Sequence, residues 1–350
     1  MAYGPRRARA ARVAAVVAGI AAGVAALPAT APAAQAVPGE GPRHEVTYFY
    51  GSGPQNMFDA YWHDSRQPRP GILILHGGYW VEGDKGTWRR TARWYADRGY
   101  AVFSANYRFA QQARWPAQRT DALDAIAYIK RHAAQFDLDP DRLAVLGSSA
   151  GGQIAADVGT YGSASDRIRG VVALSPVLSP YQAYLDGAVR GASKHRKRLR
   201  RTAAQLADCG ASSSCWSSWY DLTPKNAVTS GDVPMMIAYS RDDLVSPSEG
   251  IGLRDALREH GLGGTLTVLP GADHGGALLH HPGMKQRLLA FFDRITRPAK
   301  QEKQRTAATP THSTSASASA TDSGTPTAVP TPTPPTPPTP SMPTPSLPGN

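Results

Sequence analysis

The chain has 350 residues, 41% of them hydrophobic, with 38 Lys and Arg against 27 Asp and Glu and a formal net charge of +11. That composition can bury a sizeable core and excludes a wholly disordered chain. Its two cysteines exclude a disulfide-framework miniprotein and a cysteine-rich zinc module.

The positive charge is local. Residues 1–36 hold four arginines and no acid, Arg190 to Arg201 holds seven bases and no acid, and a small excess follows Arg297. The remainder is slightly acidic, so no broad basic face for nucleic acid is expected.

In chain order, RRARAAR at residues 6–12 precedes an uncharged run from Val13 to Leu27 and then Ala34-Gln35-Ala36. A positive start, a short apolar centre and an A-x-A site predict a signal peptide over 1–36, and with it a secreted, extracellular protein. An uncleaved anchor is the alternative. Residues 37–297 read as one α/β domain. Strands are predicted at His44–Tyr50, Met57–Trp62, Gly71–Leu75, Ala101–Ala105, Leu143–Leu146, Val171–Leu174, Met235–Tyr239 and Leu266–Leu269. Helical patterns intervene, so the eight strands should form a mostly parallel sheet with helices on both faces and an antiparallel hairpin first. About 55 residues separate the Val171 strand from the Met235 strand, more than a crossover needs. They predict a cap insertion over 177–231. From 298 to 350 the composition collapses to Thr, Pro, Ser and Ala, as in a disordered tail.

Gly147-Ser148-Ser149-Ala150-Gly151 follows the strand RLAVL and leads into a helical segment. G-x-S-x-G in that setting lifts the Ser149 hydroxyl above the sheet edge as a nucleophile. A serine hydroxyl needs a base, and the base an orienting acid, in the chain order Ser, acid, His. His274, in a loop after the strand LTVL, is the candidate base. The acid is Asp242 or Asp243, after the strand MMIAY, and the D-x-x-V phrasing favours Asp242. His76-Gly77-Gly78-Tyr79-Trp80 follows the strand GILIL and supplies an oxyanion loop. The expected donors are the amides of Gly78 and Ala150, with Tyr79 as a third. His76 itself is expected to hold that loop.

HGGYW followed by EGDK, SANYR, WPAQRTDALDAIAYI, LDPDRLAVLGSSAGGQIA and ADHGG resembles the α/β-hydrolase esterase/lipase group. It is most similar to the branch with hormone-sensitive-lipase-like esterases, feruloyl-esterase-like enzymes and arylformamidases. The resemblance runs from about Phe58 to Phe292 with a gap over the cap. It implies an α/β-hydrolase fold and a catalytic triad of Ser149, Asp242 and His274. The oxyanion motif has two glycines and then Tyr79, as in arylformamidase-like members.

In an exported chain, Cys209 and Cys215 of CGASSSC read as a cap-stapling disulfide. No further suitably spaced ligands make a metal site of them, and no organic cofactor is expected. Trp80, Trp216 and Trp219 are candidate pocket residues. Arg108 with Asp121, Asp59, and Asp84-Lys85 are read as structural. The basic segment 190–201 is a solvated helix face or a contact for an anionic surface such as a cell wall. The resulting expectation is a serine esterase on small or medium esters. Its alternatives are a carbohydrate (acetyl or feruloyl) esterase on polysaccharide, or a non-catalytic cell-wall-binding protein on a hydrolase scaffold.

Overall fold

The computed structural model describes residues 41–210 and 212–298. The predicted signal peptide, 1–36, and the tail beyond Pro298 lie outside the described residues.

Eight strands make one sheet: β1 (Arg43–Phe49), β2 (Met57–His63), β3 (Arg69–Leu75), β4 (Ala101–Ala105), β5 (Leu138–Ser148), β6 (Val171–Leu174), β7 (Met235–Ser240) and β8 (Gly264–Leu269). Their spatial order is β1-β2-β4-β3-β5-β6-β7-β8. β1 and β2 pair antiparallel, as does β2 with β4. Every pairing from β4 onward through β3 to β8 is parallel. All eight expected strands are present. β5 starts at Leu138 because Leu138 pairs with Arg69 across a register shift, and residues 139–142 between it and the apolar run carry no apolar pattern.

The central strands β2 to β7 are buried on both faces, while the edge strands β1 and β8 are partly exposed. The alternation of side chains explains how one central run serves two layers. Ile72 and Ile74 of β3, Ala144 and Leu146 of β5, and Val172 and Leu174 of β6 point into one core. That core is closed by α1 (Arg89–Ala96) and α8 (Met284–Ile295). The intervening Leu73, Leu75, Val145, Val171 and Ala173 point into the other. α2 (Ala117–Arg131), α3 (Ala150–Val158) and α7 (Ser248–Glu259) cover it. In α8 the buried Met284, Leu288, Phe291 and Phe292 recur at helical spacing. Each such buried side chain contributes roughly 1.5–3 kcal/mol.

Between β6 and β7 lie α4 (Pro180–Asp186), α5 (Lys194–Ala207) and α6 (Trp216–Asp221), within the segment expected to form the cap. Ser179 and Ser193 cap the first two, their hydroxyls accepting from the amides of Gln182 and Arg196. Leu199, Ala203, Leu206, Trp219 and Leu222 bury together, and Tyr181 and Tyr184 pack against them. Cys209 and Cys215 are joined by a disulfide between α5 and α6.

Candidate active site

β5 ends at Ser148, and the chain reverses into α3 through Ser149, whose φ is 53° and ψ −116°. This left-handed backbone is costly for a residue with a side chain and presents the hydroxyl above the sheet edge. The Ser149 amide is anchored to the Leu174 carbonyl of β6 at 2.8 Å. The flanking glycines answer to close approach: a Cβ at Gly147 meets the Gly151 carbonyl, and one at Gly151 meets the carbonyls of Leu75 and His76.

His274 follows β8, and its Nε2 lies 2.8 Å from Ser149 Oγ. Its Nδ1 lies 2.5 Å from Oδ1 of Asp243, whose side chain is completely buried. Asp243, not Asp242, is therefore the acid that meets the histidine. The amides of Arg241 and Asp242 bond the carbonyls of Leu269 and Gly271, at 2.8 and 2.9 Å, which continues the β7–β8 ladder past Ser240. The chain turns inward one residue later than the D-x-x-V phrasing suggests. Asp242 is left exposed.

Ser175 also belongs to this arrangement and escaped the sequence reading. Directly after β6, fully buried and at φ 46°, it donates from Oγ to Asp243 Oδ2 at 2.5 Å. The same oxygen accepts from the Gly275 amide at 2.8 Å. One hydroxyl thus ties the acid to the loop that carries the histidine. Val245 N adds a bond to Asp243 Oδ1 at 3.2 Å. The only sequence signal was a serine at the end of a parallel strand, a place where α/β sheets put functional groups.

The HGGYW loop passes directly over the serine, since a Cβ on Gly77 lies 3.1 Å from Ser149 Cβ. Gly78 has φ 135°, and Tyr79 and Trp80 follow at 56° and 60°. A side chain on Gly78 would strike the Glu82 carbonyl. The Gly78 carbonyl is turned inward, accepting from Val81 and Glu82 amides at 3.0 Å each. Among the described residues, no group accepts from the amides of Gly78, Tyr79 or Ala150. Ala150 opens α3, where amides lack intrahelical partners. His76 is buried and stacks on Tyr107, with Nδ1 2.8 Å from the Gly77 carbonyl. Burial lowers its pKa, keeping it neutral as a loop brace.

The expected aromatic pocket is not assembled. Trp80 is completely buried, and its Nε1 donates to Gln153 Oε1 at 3.1 Å. Trp219 is buried inside the cap, its Nε1 donating to the Gly210 carbonyl. An indole is satisfied when its ring is packed and its N–H bonded, and both of these are. Trp216 alone is exposed, edge-on to Tyr181. The residues read as structural are so placed. Arg108 grips the buried Asp121 through Nε and Nη2, and Lys85 pairs with Asp59 at 2.9 Å.

Fold and geometry together define an α/β-hydrolase with a Ser–His–Asp constellation at the carboxyl edge of its sheet. The chain belongs to the BD-FAE family, whose sequence profile matches residues 58–257. Among curated relatives, ethyl acetate hydrolase of Pseudomonas putida is 26% identical over 216 residues, 58% of this chain and 64% of that protein. Esterase LipC of Mycobacterium tuberculosis is 31% identical over 124 residues, 33% of this chain and 30% of LipC. The chain spans between 23% and 64% of the length of the curated relatives it matches. An acetyl ester-xyloside bifunctional hydrolase from Caldicellulosiruptor lactoaceticus shares the fold with a TM-score of 0.60 at 23% identity. That likeness covers 73% of this chain and 98% of the other.

Proposed function

We propose that the protein is a carboxylic-ester hydrolase working through an acyl-enzyme on Ser149. The observation that carries this reading is the unbroken relay Ser149 Oγ–His274 Nε2–His274 Nδ1–Asp243 Oδ1 at 2.8 and 2.5 Å. His274 takes the hydroxyl proton as Ser149 attacks the ester carbonyl, and Asp243 holds the imidazole with its proton on Nδ1. The amides of Gly78, Tyr79 and Ala150 receive the oxyanion. His274 then gives its proton to the leaving alkoxide and next activates the water that frees the acid. Membership of the BD-FAE family and the esterase relatives support the reaction class.

Export is part of the proposal, with residues 1–36 as a cleaved signal. The Cys209–Cys215 disulfide supports it, because such bonds persist in oxidising compartments. An N-terminus at Val37 in protein recovered from culture medium is the expected finding.

A fluorophosphonate probe should label the wild type and leave Ser149→Ala unlabelled. If the wild type neither labels nor cleaves p-nitrophenyl acetate or butyrate, the enzyme reading fails and a binding role on a hydrolase scaffold takes its place. Acyl chains of increasing length, beside acetylated xylan and feruloylated substrates, then separate small esters from polysaccharide esters.

A further inference from the structure

The cap concentrates positive charge that is only partly neutralised among the described residues. Of the seven bases from Arg190 to Arg201, two are engaged. Arg198 pairs with Glu82 at 2.6 Å and lies over the Tyr79 ring, while Arg200 donates to the Tyr184 carbonyl and hydroxyl at 2.8 and 3.0 Å. Arg190, Lys194, Arg196, Lys197 and Arg201 are exposed, and no ion-pair partner for them occurs among the described residues. Ordinary surfaces intersperse both signs, and this one does not.

Exposed apolar groups adjoin those bases. Val189, directly before Arg190, is 62% exposed, and Trp216 is 57% exposed. Trp216 meets Tyr181, Tyr181 stacks on Tyr184, and the Arg200 guanidinium lies 3.9 Å over the Tyr184 ring, making one continuous surface. Gly187 packs against the Arg196 backbone and Arg200 Cβ, which brings the turn with exposed Leu185 and Val189 alongside α5.

We propose that this cap face docks on an anionic lipid surface. A soluble polyanion would neutralise the bases and leave Leu185, Val189 and Trp216 in water. A bilayer with acidic headgroups takes both, with bases at the phosphates and apolar groups at the acyl boundary. The face also borders the active site, because Tyr79 Oη lies 3.1 Å from Nδ1 of His195 in α5. Docking would hold the oxyanion loop close to an interface where poorly soluble esters collect. The inference goes beyond the hydrolase reading and does not depend on it.

The test is co-sedimentation of the full chain with phosphatidylcholine vesicles, with or without about 30 mol% phosphatidylglycerol, across salt concentrations. Binding is expected only to the anionic vesicles, with release as salt approaches about 1 M. Each base near an acidic surface is worth roughly fivefold in partitioning. The combined variant Lys194→Gln, Arg196→Gln, Lys197→Gln and Arg201→Gln should therefore bind at least about tenfold more weakly, with an unchanged melting curve. Val189→Asp should weaken binding on its own and decides the matter if the combined variant melts early. Equal binding to both vesicle types, or undiminished binding by these variants, overturns the proposal. So does retention by a soluble acidic polysaccharide without vesicle binding.

Discussion

The carboxyl edge of the sheet and the cap above it share an apolar core and differ in what else holds them. Under the site, β3, β5, β6 and β7 bring nearly every side chain into the core, so the loops bearing Ser149, Ser175 and Asp243 leave from fixed points. His274 follows the half-exposed edge strand β8 and is tied back through Gly275 and Ser175. The cap shares the apolar core of that body through Leu199, Ala203, Leu206 and Leu222, and polar groups add directional ties. Gln153, buried in α3, accepts from Trp80 Nε1 and donates to the Leu222 carbonyl at 3.2 Å. Four residues on, Asp157 lies 3.3 Å from Arg119, which also reaches Asp221 of α6 at 3.1 Å. Trp115 Nε1 bonds the same Asp221 at 2.6 Å. Such bonds are directional but net only about 0.5–1.5 kcal/mol each. The sheet thus fixes where Ser149, Asp243 and His274 meet, and these directional ties set how the cap lies over them.

The sharpest way to break this contrast is Ser149→Ala, which should lower turnover about 10⁶-fold while leaving the cap in place, measured as kcat and by limited proteolysis. Asp243→Asn should cost about 10⁴-fold in kcat through the wrong imidazole tautomer, and Asp242→Asn less than about twofold. A larger loss at Asp242 would reverse the assignment of the acid. Gly78→Val, placed at φ 135° against the Glu82 carbonyl, should distort the oxyanion loop and cost about 10²–10³-fold in kcat/KM. On the cap side, Gln153→Leu strands the Trp80 N–H at about 1–3 kcal/mol, seen as a lower Tm and faster cleavage within 177–231.

A separate expected effect is a pH dependence. Burial pushes the Asp157 carboxyl up to about 8, with Arg119 opposing. A carboxyl raised in the folded state stabilises fully below its unfolded value and loses that contribution as pH climbs through about 8. Tm should therefore decline from about pH 5 to pH 8 on this account, and Asp157→Asn should flatten the decline.

The sequence made the core legible because apolar strands and glycine-bound turns are local signals. Ser149 and His274 could be placed from their flanking residues alone. Asp243 could not, since two adjacent carboxylates differ only in how far the β7–β8 ladder runs before turning. Ser175 carried no motif, because its role exists only where the ends of β6 and β7 and the loop after β8 converge. The tryptophans misled for the opposite reason: an aromatic signals burial strongly but does not say whether it lines a pocket or fills a core. Trp80 and Trp219 fill cores.

The backbone of Ser149 carries a consequence for how such a chain drifts. A left-handed serine costs of order 1–3 kcal/mol, and glycine would adopt the same φ nearly free. Replacing the nucleophile by glycine should thus raise thermal stability while ending catalysis. Selection for stability alone would then erode the site from its centre outward. On the proposed function, the serine at φ 53° would be kept for its chemistry and against its local stability.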